Sequence, residues 1–77
     1  MMAIDREIQN RWILGDTIPG VSFKMQEDVE IVSGPLRGTV GELISLYELE
    51  PEPVYHLETR DGRDLHVRQS EIVTHVN

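Results

Sequence analysis

Apolar residues recur with two different periods along this chain. Between residues 3 and 14 the period is helical: Ile4, Ile8 and Trp12 stand four apart and share one face. Asp5 and Glu7 fall in the first turn and Arg11 near the end, as the helix dipole favours, and Gly15 is the stop signal. The spacing predicts a helix of about three turns over residues 3–14. Its stripe either covers an open face of the remaining structure or presents Trp12 to a partner as an anchor. From Val21 onward the period becomes two, in short runs separated by glycine and proline: Val29 and Ile31, then Gly41 and Leu43, then Tyr55 and Leu57, then Leu65 and Val67.

The punctuation between these runs predicts the turns. Pro19-Gly20 suits the central positions of a type II turn, followed by Val21 and Phe23 as a short strand or extended lead-in. In residues 28–46 an alternating strand enters a Gly34-Pro35-Leu36-Arg37-Gly38 turn, and a second strand leaves through Gly41 and Leu43. Gly34 and Gly38 bracket a tight reversal in which Pro35 presets its own φ. Gly41 marks a bulge or a close approach of another backbone.

The strand, the Gly-Pro-x-x-Gly turn and the third glycine together resemble the KOW motif of small SH3-like barrels, found in ribosomal proteins and transcription elongation factors. The resemblance covers about a quarter of the chain. It implies a mainly β fold, a five-stranded SH3-like barrel over residues 21–77, to which the apolar spacing adds a short N-terminal α-helix and connector over residues 1–20. It also implies that the turn contacts RNA or a protein partner, through Gly34, Pro35 and Arg37, often within a larger assembly.

The second hairpin can be registered from its apolar positions. A two-residue Asp61-Gly62 loop would set Leu57 opposite His66. A three-residue loop, Arg60-Asp61-Gly62, instead pairs Thr59 with Arg63, Leu57 with Leu65 and Tyr55 with Val67, and gives Gly62 the left-handed position. Gln69-Ser70-Glu71 reads as a single 3₁₀ turn, and Ile72, Val73 and Val76 as a short closing strand. Between the hairpins, residues 47–53 interleave Glu48, Glu50 and Glu52 with Leu49, Pro51 and Pro53. This predicts an exposed, stiff loop that is either simply solvated or an acidic prong beside Tyr47.

Charge narrows the partners. Fourteen acidic residues against seven Lys plus Arg give a net charge of −7, and Lys24 is the one lysine. Phosphate backbones repel such a chain, so nucleic acid is disfavoured as a partner for it alone, and a protein with a basic surface is the better match. The acidity also serves solubility. Glu27, Asp28, Glu30 and Glu42 surround the KOW-like turn, whereas the RNA binders of that family are basic.

Candidate chemistry is sparse. The hairpin register places His56 across from His66 and Glu58 across from Asp64, a set of donors that zinc or another divalent ion accepts. The same residues are ordinary on the wet face of a sheet, and the reading adopted is no metal and no cofactor. There is no cysteine, no serine in a nucleophile elbow, and no glycine loop leading into a helix that would hold phosphate. No apolar run is long enough to span a membrane, and the first residues lack a signal-peptide pattern. The expectation is a cytoplasmic, non-enzymatic protein-interaction module, a small acidic subunit or accessory factor. The alternatives are a nucleic-acid-associated KOW-type protein and an acidic inhibitor or immunity protein against a basic partner.

Overall fold

Asp5 fixes the start of the helix. In the computed structural model, which describes residues 4–76, its carboxylate accepts a hydrogen bond from the Ile8 N–H at 3.0 Å, and α1 (Arg6–Ile13) follows. The helix ends with paired bonds from Gly15 N–H to the Trp12 carbonyl (3.0 Å) and from Asp16 N–H to the Arg11 carbonyl (2.9 Å), which satisfy carbonyls the last turn would leave open. It is shorter than the expected 3–14 because Asp5 adopts an extended capping conformation; Ala3 lies outside the described residues. The Ile4, Ile8 and Trp12 stripe faces the sheet. Trp12 is 1% exposed, and its indole N–H donates to the Phe23 carbonyl at 2.9 Å. The anchor reading for Trp12 required an exposed helix face, and burial removes it from any contact surface.

Five strands follow: β1 (Asp28–Ile31), β2 (Val40–Glu48), β3 (Val54–Thr59), β4 (Asp64–Arg68) and β5 (Ile72–Thr74), with a 3₁₀ turn (Gln69–Glu71) before the last. They form one antiparallel sheet in the order β4-β3-β2-β1-β5. Where the sequence suggested a closed barrel, the sheet is open, with β4 and β5 as its edges. The 3₁₀ turn carries the chain across to β1 without the reversal that a β4–β5 hairpin requires, and β5 pairs with β1 alone among the described residues. Val21 and Phe23 form an extended lead-in and not a strand, after a Pro19-Gly20 turn closed by Val21 N–H to the Ile18 carbonyl at 3.1 Å.

Alternation sets the core. Val29, Ile31, Leu43, Leu46, Tyr55, Leu57, Val67 and Ile72 point inward and are buried beneath Trp12. The β3–β4 register is the one argued from the sequence: Leu57 opposite Leu65, Tyr55 opposite Val67, His56 opposite His66, with the three-residue loop between them. Gly41 marks the predicted close approach. A Cβ there would lie 2.5 Å from the Glu58 carbonyl oxygen and 2.5 Å from Leu57 Cδ2. The register of β2 against β3 shifts twice, between Leu43 and Ser45 and between Leu46 and Glu48; such irregularities bend a strand.

One side chain ties the pieces together. Gln69, on the 3₁₀ turn, accepts at its Oε1 from the Tyr55 hydroxyl (2.5 Å) and the Ser22 N–H (2.9 Å), and its Nε2 donates to the Gly20 carbonyl (3.0 Å). No helix among the described residues is long and apolar enough to cross a membrane.

Candidate partner-binding surface

The turn after β1 is held by its backbone. Gly38 N–H bonds to the Ile31 carbonyl at 2.7 Å and Arg37 N–H to the Gly34 carbonyl at 3.2 Å, while Gly34 and Gly38 take φ of +84° and +94°. Nothing lies within 4 Å of where their Cβ atoms would be, so backbone conformation and not crowding selects glycine here. Pro35, Leu36 and Arg37 are exposed at the tip. Beneath it, Ile31, Gly34, Pro35 and Leu36 line a recess of about 100 Å³ with His66, Val67 and Glu71.

His66 joins this turn to a second predicted residue. Its ring stacks on Tyr47 at 3.9 Å between centroids and 21° between planes, and Tyr47 is 45% exposed. The sequence placed Tyr47 in a loop. It lies in β2 instead, one residue before the strand's end, and the shift between Leu46 and Glu48 accompanies its approach to a strand two positions away in the sheet. Gly34, Pro35 and Tyr47, separate in sequence, therefore border one surface through His66.

The three carboxylates of residues 47–53 do not project together. Glu48 closes β2 opposite Val54 and is half-buried. Glu50 is exposed, ahead of the cis bond to Pro51. Glu52 turns back and accepts from the Ser70 N–H (2.9 Å) and hydroxyl (3.1 Å). Those hydrogen bonds hold its carboxyl below the usual glutamate range. Leu49 packs against the core and Pro53 is buried, so the loop is fastened and only Glu50 stands clear as an acidic contact.

A more continuous acidic feature lies across the strands. Asp28 pairs with Glu42, Glu42 with Glu58, and Glu58 with Asp64. The four carboxylates thus form a row at directly opposed positions of β1, β2, β3 and β4. Like charges in that arrangement repel. A cleft of about 320 Å³ opens along the row, lined by Asp28, Glu42, Glu58 and Arg60 with Gly41 and Thr59. The row escaped the sequence reading, which registered the β3–β4 pair but not β1 or β2 against it.

The predicted imidazoles meet as well. His56 and His66 lie 5.7 Å apart at 89°, and His56 Nε2 is 3.0 Å from the Asp64 carboxylate, a close contact that is not aligned as a hydrogen bond. Among the described residues, no group of three or more His, Asp or Glu side chains converges to hold a metal ion. In the loop, Asp61 is held low by the Thr59 hydroxyl and then by Arg63. Comparison with protein-family models finds no match, and comparisons with curated proteins and with solved structures find none.

Proposed function

We propose that this chain is a non-enzymatic protein-interaction domain of the SH3-like type, an accessory subunit whose acidic sheet face docks on a basic protein surface. The observation that carries the reading is the Asp28–Glu42–Glu58–Asp64 row. A sheet that keeps four carboxylates at opposed positions loses stability in isolation, and a cationic partner relieves the repulsion. The strand order β4-β3-β2-β1-β5, the glycine turn after β1 and the 3₁₀ turn before β5 support the SH3-like part of the reading. Tyr47, His66, Pro35 and Leu36 supply exposed apolar and aromatic contacts on the same domain.

The test is affinity capture from the lysate of the organism that encodes the chain, with nuclease, comparing the wild type with a Glu42→Gln/Glu58→Gln variant. A basic protein retained after nuclease and lost with the variant, in proportion to salt, is the expected result. Recovery that vanishes with nuclease and depends on Arg37 would instead assign the chain to RNA, as the KOW resemblance implies.

A further inference from the structure

The chain has three histidines, and all of them stand among the carboxylates on the side of the sheet turned away from the core. Asp28 and Glu30 of β1, Glu42 of β2, Glu58 of β3 and Asp64 of β4 alternate with inward-facing positions, which puts five acids on that side. His56 and His66 oppose each other there, two residues along from Glu58 and Asp64. His56 Nε2 is shielded from solvent, has no hydrogen-bond partner and lies 3.0 Å from the Asp64 carboxylate. Toward the other end of the sheet, His75 Nδ1 lies 3.7 Å from the Glu30 carboxylate. Imidazoles bracket the acidic face.

Their surroundings favour a positive charge. Asp64, His66 and Arg68 face His56 from β4, Glu42 and Tyr47 from β2, and Glu58 from its own strand. His66 has Tyr47 stacked on it, His56 at 89° to it, and Glu71 across the recess. His75 has Glu30 beside it and donates its backbone N–H to the Asp28 carbonyl at 2.9 Å, while Glu27 holds the neighbouring Thr74 hydroxyl at 2.6 Å. Arg68 apart, the charged groups so placed are carboxylates.

An imidazole takes up its second proton between about pH 8 and pH 5. At His56 both ring nitrogens then donate, and the 3.0 Å contact becomes a charge-assisted bond that occupies Asp64. The same step at His75 engages Glu30. With His66, the added charges offset three of the five carboxylates. We infer, on the strength of the acidic-face reading, that this face is a pH-gated docking surface. It holds a cationic protein near neutrality and releases it on acidification, when its own imidazoles take the partner's place.

Binding of a fluorescent oligo-arginine peptide to the full chain, read by anisotropy at low salt, tests this at about pH 7.5 and about pH 5.5. Model carboxylates titrate near pH 4 and arginine above about pH 12, so histidine is the side chain that changes charge in this window. Wild-type affinity should fall at least about fivefold on acidification, and His56→Gln/His66→Gln/His75→Gln should bind nearly equally at both pH values. His66 is exposed, so His66→Gln keeps the fold and should by itself remove about a third of the change in log affinity. Wild-type binding that does not change with pH, or a triple variant that loses as much as the wild type, overturns the inference alone. Failure to bind at neutral pH, or binding there that ignores Glu42→Gln/Glu58→Gln, overturns the acidic-face reading and this inference with it.

Discussion

The side-chain amide of Gln9 pairs with the backbone of Leu46 as a neighbouring strand would. Its Nε2 donates to the Leu46 carbonyl at 2.7 Å, and its Oε1 accepts from the Leu46 N–H at 2.9 Å. Leu46 stands where β2 shifts register against β3, so a helix side chain satisfies both polar groups of a residue at an irregular point in the ladder. Removing that side chain leaves a partly buried donor and acceptor open. Gln9→Ala should therefore lower unfolding free energy by about 1–2 kcal/mol, measured by urea denaturation, and Leu46 should show the largest gain in amide exchange.

Gly41 and Gly34 separate two reasons for a glycine. A Cβ at Gly41 meets the Glu58 carbonyl and Leu57, whereas Gly34 has open space but a φ of +84°. Gly41→Ala should cost about 1–3 kcal/mol through forced displacement of β3. Gly34→Ala should cost about 1–2 kcal/mol through backbone strain alone. Chemical-shift changes in the first variant should centre on Leu57 and Glu58, and in the second stay within the turn.

Glu52 links acid sensitivity to the 3₁₀ turn. Its folded-state pKa lies below the ordinary value because its carboxylate accepts from Ser70. The unfolded chain therefore binds the proton first as pH falls, and the stabilisation, complete above the unfolded pKa, is lost as pH drops through the folded one. Glu52→Gln should flatten the acid limb of stability against pH below about 4.3. It should also speed amide exchange at Ser70 at neutral pH.

Tyr55 produces the alkaline counterpart. Burial raises its phenol to about 12, so the unfolded chain ionises first, near the ordinary value of 10.0. Stability is full below that value and declines as pH rises toward the folded pKa. Tyr55→Phe should remove this decline between about pH 10 and 12. It should also cost about 1 kcal/mol at neutral pH, because Gln69 loses one of its partners.

Glu42 sits between two opposed carboxylates, Asp28 on one side and Glu58 on the other. Neutralising the middle of the row should relieve more repulsion than neutralising either end. Glu42→Gln is expected to raise stability by about 0.2–1 kcal/mol at low ionic strength. The gain should shrink as salt is added, and a larger effect from Asp64→Asn would contradict the row as drawn.

What the sequence makes legible follows from what periodicity encodes. Tyr55, Leu57, Leu65 and Val67 must share a face, and that requirement alone fixed a loop of three residues over one of two. Ile4, Ile8 and Trp12 likewise reveal the helix face. Polar contacts across long separations leave no such trace: nothing in the pattern ties Gln9 to Leu46, Gln69 to Gly20 and Ser22, or Glu52 to Ser70. The acidic row depends on the pairing of four strands, and the shifts within β2 break the simple period from which a register is counted. Pro51 and Pro53 suggest a loop that begins at Tyr47, yet a proline constrains mainly its own position and the one before it, and Tyr47 stays in β2.

The helix of eight residues has a consequence for the order of assembly. A segment that short has no stability by itself in water. Its fastenings, from Trp12 to Phe23, from Gln9 to Leu46 and through the burial of its stripe, lie on parts of the chain made after it. A segment made before the parts that hold it is thus among the last able to settle. Until β2 exists to receive it, Trp12 and its neighbours travel as an unprotected apolar stripe, and the sheet must form without its lid.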